Sequence, residues 1–410
     1  MKKILIGTLL LFPYFANGKV NAVWESPSQN KDFWQYQQSK QAFKQGDFSQ
    51  SVEKFQALLS QYPKANPLRI ELARAYFYNK QYHQAESLFL QALEAKDLPP
   101  RIAKIIQYYL KLIKNNEDWQ WDFSLRYARE NNLTGIAEYC ESCRYSYGER
   151  EAGEGFGYWG MLSKKKNLFK NYFLTWQNQI YGASYWDNHS FDEMTTHTSL
   201  SLSYQDAKNN IGLVPFYQRY WFGDHRYSWD SGIKLQFSHR LNSQFSIYTS
   251  GEWYKKHYFN YWRKKQNSNN QILSLNLTWQ PTKTQYFYTS TSWQKTRANK
   301  QDFSYDSYSL TLGWQQYWTK GLYSQLSSSL SYRRDKENTY FICSFMGLRC
   351  PIGIRKDHRY SANLSLWNRN WHLFGIQPKV NFRWEKQKSN LPSLYSYQEK
   401  SIGLTLEKAF

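Results

Sequence analysis

The last ten residues of the chain alternate. Ile402, Leu404, Leu406 and Phe410 fall on one face of an extended strand, and Ser401, Gly403, Thr405, Glu407 and Ala409 on the other, because successive strand side chains point to opposite sides. A charge on the polar face excludes a strand buried on both sides. An apolar face toward lipid and a polar face toward a wet lumen is the pattern of an outer-membrane barrel strand. The chain then stops at Phe410. A final strand of this kind, with Leu404, Leu406 and Phe410 on one face, resembles the signal by which the barrel assembly machinery inserts such proteins.

The pattern recurs upstream from Trp119. Leu273, Leu275, Leu277 and Trp279 alternate with Ser274, Asn276, Thr278 and Gln280, and Tyr360, Ala362, Leu364 and Leu366 with Ser361, Asn363 and Ser365. The spacing predicts strands near 119–128, 155–164, 169–181, 195–205, 210–222, 226–238, 245–254, 271–280, 285–294, 305–317, 322–333, 357–367, 375–385 and 400–410. That is about fourteen, the even number that single-chain bacterial barrels favour. Long connections (129–154, 182–194, 255–270, 334–356, 386–399) alternate with short ones such as Leu241-Asn242-Ser243-Gln244 and Pro281-Thr282-Lys283-Thr284. Long outer loops and short periplasmic turns are the rule for these barrels. Gly223-Asp224-His225 is the exception, short where an outer loop is expected.

Composition agrees. Mean hydropathy is -0.79, yet 19% of residues are aromatic. A soluble core does not reconcile those values; a polar lumen with aromatic girdles does. The net charge of +21 fits solvated loops, a basic lumen, or loops that meet the phosphates of lipopolysaccharide. Nucleic acid is set aside because the chain opens as a secreted one. Met1-Lys2-Lys3 precedes an apolar run from Ile4 to Phe15, and Val20-Asn21-Ala22 reads as a cleavage site. The expected division is a signal peptide over 1–22, a periplasmic helical domain over 23–116 and a barrel over 117–410.

Residues 32–99 repeat with a period of 34: Phe48 matches Tyr82, Ser51 matches Ala85, Phe55 matches Phe89 and Leu59 matches Leu93. That period, with a small residue four before an aromatic, marks two tetratricopeptide repeats. The first keeps Gly46-Asp47-Phe48 at its turn, whereas the second has Lys80 where the glycine is usual. Pro99-Pro100 opens a further helix, about Arg101 to Lys114, whose Ile102, Ile105, Ile106, Tyr109, Leu110 and Ile113 form one stripe. A repeat stack binds peptide in the groove lined by its first helices, which nominates Tyr36, Lys40, Phe43, Ile70, Arg74 and Phe77 as substrate-binding residues; packing against the barrel mouth is their other reading.

Cys140, Cys143, Cys343 and Cys350 fall in expected outer loops. Outside the reducing cytoplasm, two local disulfides are expected, Cys140–Cys143 and Cys343–Cys350. Gly155-Phe156-Gly157-Tyr158-Trp159-Gly160 mimics a dinucleotide-binding glycine motif, but no helix pattern follows and glycine beside aromatics suits a barrel strand. His189 with Asp187, Asp192 and Glu193 reads as solvated loop charge rather than a metal site. No phosphate-binding lysine loop, HExxH or GxSxG occurs. The expectation is no catalytic residue, no metal and no cofactor.

Three stretches carry a resemblance. Pro67 to Ala75 followed by Tyr82, Ala85, Glu86 and Asp97 to Pro100, then Pro215 to Gly223, and finally Gln377-Pro378 to Phe410 are similar to the repeat segment, a mid-barrel strand and the closing hairpin of the surface lipoprotein assembly modulators of the type XI secretion pathway. Where that family often has Asp-x-Asn in its first barrel strand, this chain has Glu130-Asn131-Asn132. The resemblance implies an outer-membrane translocator that delivers a lipoprotein, or a soluble haem- or iron-related protein, from the periplasm to the surface or medium. It implies recognition through the substrate's own C-terminal domain. Since the periplasm offers no nucleotide hydrolysis, the drive would come from substrate folding outside. An exopolysaccharide exporter, which also joins such repeats to a basic barrel, is the alternative.

Overall fold

The computed structural model describes residues 31–95, 98–134, 151–342 and 349–408, without the side chains of 128, 341, 342, 349 and 350. The signal segment, Cys140, Cys143, Cys343 and Phe410 lie outside the described residues, as does the side chain of Cys350, whose backbone pairs opposite Phe341.

Five helices come first: α1 (Lys31–Gln45), α2 (Phe48–Gln61), α3 (Asn66–Tyr78), α4 (Tyr82–Leu93) and α5 (Pro100–Glu117). The equivalent helices α2 and α4 start 34 residues apart, as the repeat predicts. Asp47 caps α2 by accepting from the Gln50 backbone N–H at 3.2 Å. The small–aromatic pairs Ser51/Phe55 and Ala85/Phe89 have no exposed surface, so each small residue lets the neighbouring helix approach while the aromatic fills the gap. Ile102, Ile106, Tyr109 and Ile113 bury the α5 stripe, and Tyr109 stacks on Phe89 with ring centroids 5.1 Å apart. Gly46 and Lys80, one repeat apart, both take positive φ, 80° and 65°. The turn needs that left-handed conformation, which glycine adopts freely and lysine does not.

Fourteen antiparallel strands follow and close in sequence order, β1 pairing with β14: β1 (Gln120–Glu130), β2 (Gly153–Phe169), β3 (Tyr172–Tyr185), β4 (Glu193–Gln205), β5 (Asn209–Phe222), β6 (His225–Arg240), β7 (Phe245–Tyr258), β8 (Ser268–Trp279), β9 (Gln285–Ala298), β10 (Tyr305–Tyr317), β11 (Leu322–Ile342), β12 (Arg349–Asn368), β13 (Ile376–Ser389) and β14 (Tyr397–Lys408). The alternation is realised as read: Leu273, Leu275 and Leu277 on β8, and Ile402, Leu404 and Leu406 on β14, are exposed on the outer wall. On β10, Tyr308 and Trp314 bracket Leu310 and Leu312 on that face. Aromatics at the strand ends nearest the helices, Phe245, Trp279 and Phe287, stack in a chain 5.8 and 5.2 Å between centroids. An apolar band between aromatic edges is the lipid-facing surface of a transmembrane barrel.

Strand ends shift by several residues, Phe169 falling on β2 rather than the next strand, and one expected loop is largely strand. β11 and β12 remain paired to Ile342 and from Arg349, so most of the expected 334–356 loop is hairpin. Its Arg, Asp, Lys and Glu residues break the apolar alternation because both hairpin faces are wet beyond the membrane band. The short link between β5 and β6 is a tight turn in which Gly223 and Asp224 both have positive φ, 54° and 59°.

Candidate functional site

The nominated repeat residues meet, but as a packed layer rather than an open groove. Tyr36, Ile70, Arg74 and Phe77 are buried, and Lys40 and Phe43 are half-buried. Arg74 pairs with Glu71 at 2.7 Å and lies 5.0 Å over the Phe43 ring. Lys40 lies 5.3 Å over Tyr36, and Phe77 packs edge-on against Tyr109 at 5.0 Å. Burial, with the Glu71 carboxylate beside it, raises the Tyr36 phenol well above its ordinary pKa. Side chains of α1 and α3, the first helices of the two repeats, meet here: Tyr36 shares a core with Leu68 and Leu72, and Arg74 covers Phe43. The more open surface lies elsewhere: a cavity of about 580 Å³ between α2, α3 and α4, lined by Gln56, Leu59, Leu72, Tyr76, Gln84 and Leu88 among others.

The α3–α4 turn docks into the mouth of the barrel. Inward-facing Phe173 of β3 is fully buried in the same core as Phe77, Tyr82 and Tyr109, its ring 5.9 Å from that of Tyr82. Asn171, in the β2–β3 turn, donates to the Asn79 carbonyl at 2.6 Å and the Gln205 carbonyl at 2.7 Å, and accepts from Gln81 at 2.7 Å. Glu117, ending α5, accepts from the Asn167 backbone N–H at 2.9 Å. Burial lowers the Lys80 pKa below its ordinary value, and the Arg240 cation adds to this. Of these junction residues only Phe77 was nominated from sequence, and it shares its core with Phe173 of the barrel mouth. Two asparagines (Asn167, Asn171) flanking a turn are common on any surface, and their partners lie roughly 80 to 90 positions away.

The lumen wall near β11–β14 is a stripe of ion pairs. Arg333–Asp335 (2.8 Å), Arg355–Asp357 (2.6 Å), Arg383–Glu385 (2.8 Å) and Lys379–Glu407 (2.5 Å) all sit on inward positions. The stripe ends at the seam between β1 and β14. Among the described residues only Ser124–Glu407, Leu125–Leu406 and Arg126–Thr405 pair there, three positions. Every other neighbouring pair holds between eleven and eighteen.

His189 and its neighbouring carboxylates are used in loop structure. Asp192 accepts from the Tyr185 backbone N–H at 2.6 Å and meets His189 Nδ1 at 3.1 Å, while Asp187 accepts from the Glu154 N–H at 2.8 Å. The apparent dinucleotide motif lies on β2, where a Cβ on Gly155 would come within 1.9 Å of the Ser184 carbonyl oxygen.

Family models match both halves. Residues 119–410 match the model described as surface lipoprotein assembly modifier, and residues 24–89 match its N-terminal repeat model. The chain belongs to the surface lipoprotein assembly modifier family. It is 29% identical to the surface lipoprotein assembly modifier of Pasteurella multocida, covering 90% of this chain and 75% of that protein. It is 30% identical to surface lipoprotein assembly modifier 1 of Haemophilus influenzae over 89% and 75%. The hemophilin secretion modulator of Acinetobacter baumannii is 23% identical over 89% and 76%. As a modifier, the chain is an outer-membrane barrel with an attached repeat domain. The resemblance read from Pro215 to Gly223 falls on β5 and the tight β5–β6 turn, and that from Gln377 onward on the β13–β14 hairpin beside the seam.

Proposed function

We propose that this modifier carries a specific lipoprotein, or a soluble haem- or iron-related protein, from the periplasm to the cell surface or medium. The match of both domains to one family carries this reading, and two relatives support its two branches: surface lipoprotein assembly in one, hemophilin secretion in the other. The helical domain faces the periplasm and meets the substrate first; its position at the barrel mouth and the cavity between α2, α3 and α4 support that role. The chain works without catalysis or cofactor. Substrate folding outside supplies the drive. Mature protein reaches its site through the barrel assembly machinery, and its outer loops meet lipopolysaccharide.

Deletion in the native host tests this. Proteins shaved from intact cells and proteins in the medium are compared with wild type and with the complemented strain. Loss of one surface lipoprotein that persists inside supports the display branch; loss of one soluble protein from the medium supports the secretion branch. Unchanged proteins with a missing extracellular polymer would replace this reading with the exporter.

A further inference from the structure

Hydrocarbon offers no partner to a backbone N–H or C=O, so a barrel wall at membrane depth ordinarily leaves no edge open. The β1–β14 seam departs from this beyond Arg126 and Thr405, where the ladder stops. β1 runs on to Glu130 paired with β2, and β14 from Tyr397 to Leu404 is paired with β13. Tyr127, Ile402 and Leu404 are exposed on the outer face of this stretch, which places it at the level of the apolar band. The strands stay near one another: a Cβ on Gly403 would stand 3.6 Å from the Tyr127 carbonyl oxygen. A cavity of about 230 Å³ opens at the gap. Its lining includes inward Asn363 and Asn381 as well as outward Tyr127 and Ile402, so it passes through the wall. Three of its four charged residues are cationic, Arg126, Arg129 and Arg383 against Glu130. Arg129 and Arg383 already have the carboxylates Glu154 and Glu385; Arg126 has no ion pair among the described residues.

We propose that this half of the seam is a docking edge for one extended β-strand of the transported protein, with acidic side chains on its lumen-facing positions. The inference rests on the translocator reading. An open edge is satisfied by an added strand, whose main chain supplies the missing hydrogen bonds while alternate side chains set specificity. β1 and β14 are antiparallel, so a single strand can run antiparallel to only one of them. β14 offers the longer edge, residues 397–404 against 127–130. The incoming strand therefore pairs with β14 and runs away from the helices, the direction of export. Gly403 leaves room for a large lumen-facing side chain, and Arg126 supplies the countercharge for an acidic one.

The test locks the gap. Tyr127→Cys with Leu404→Cys, at positions that would pair if the ladder continued, is oxidised in cells carrying the full chain with its native cysteines changed to serine. Display of the protein lost in the deletion strain is lost on oxidation, because the edge can no longer take an added strand, and reductant restores it. A Leu310→Cys/Leu330→Cys lock across an already paired seam leaves display at wild-type level. Normal display through the locked seam would overturn the inference and leave the translocator reading intact. A second arm needs no identified substrate. A dansylated ten-residue peptide alternating valine with aspartate, and its lysine twin, are titrated onto the purified protein. The aspartate peptide binds about tenfold more tightly, and locking or Arg126→Gln removes the difference. Equal binding by both twins, unaffected by the lock, would overturn the inference, as would seam binding by a diacylglyceryl probe with none by either peptide.

Discussion

Lys408 closes the barrel on Trp121. Its ammonium donates to the Trp121 carbonyl at 2.9 Å and stands 3.8 Å from the centre of the indole ring, across 287 positions of sequence. The contact sits just on the helix side of the three paired positions that join β1 to β14. The seam is thus stapled at the end near the helices and loose toward the other. Lys408→Met is expected to cost about 0.5–1 kcal/mol, the scale of an exposed cation–π contact. The check is the heat-modifiable gel shift: the midpoint falls in Lys408→Met and stays put in Lys386→Met, on β13 away from the seam.

Asn171 is the hinge pin of the helix–barrel junction. It is 4% exposed and makes three hydrogen bonds, to Asn79, Gln205 and Gln81. Asn171→Ala leaves buried partners unmatched at about 1–3 kcal/mol. Limited proteolysis reads it: cleavage near Asp118 accelerates while the barrel stays resistant. If the site is cut no faster, the junction is held by Phe173 and Tyr82 instead.

Lys80 is a lysine where the repeat turn asks for glycine. Lys80→Gly removes the left-handed strain, worth about 1 kcal/mol, and a half-buried charge, at the loss of a 5.9 Å contact over Tyr82. The variant is expected to raise the melting temperature of the helical domain, followed by circular dichroism. The pH dependence has a definite sign. Burial lowers the folded pKa of Lys80, so the folded state binds fewer protons than the unfolded one between that lowered value and 10.5, and stability from this group rises with pH across that window. Lys80→Gly should flatten the rise.

Gly313 is roofed by an aromatic ring. An added Cβ would lie 2.0 Å from the Tyr288 ring on the neighbouring strand. Gly313→Ala therefore overpacks the inner wall at about 1–3 kcal/mol, and Gly313→Ala with Tyr288→Ser relieves the clash. Unfolding in urea, measured on both variants, should show a loss in the first and partial recovery in the second.

These residues also show what the sequence could reveal. Strand number, the outer face of β14 and the 34-residue helical repeat were legible because each is a periodicity, and burial enforces periodicities on every residue. The β11–β12 hairpin beyond Arg334 was not legible, because a wet hairpin has no apolar face to betray it. The burial of Arg74 and Tyr36 was not legible either. Arg74 is covered by Glu71 and Phe43 and Tyr36 by Phe55, side-chain contacts that helical spacing does not specify. Asn171, Gln81 and the truncated β1–β14 ladder are matters of distance and register, on which a single sequence is silent.

Transport itself is measured most directly in liposomes. The protein is reconstituted with its helices outward, and the lipoprotein missing from the surface of the deletion strain is added outside. The account predicts that a fraction of it becomes resistant to external protease with the modifier and none with empty liposomes. A lipoprotein that binds the proteoliposomes yet stays fully digestible would contradict translocation by this chain.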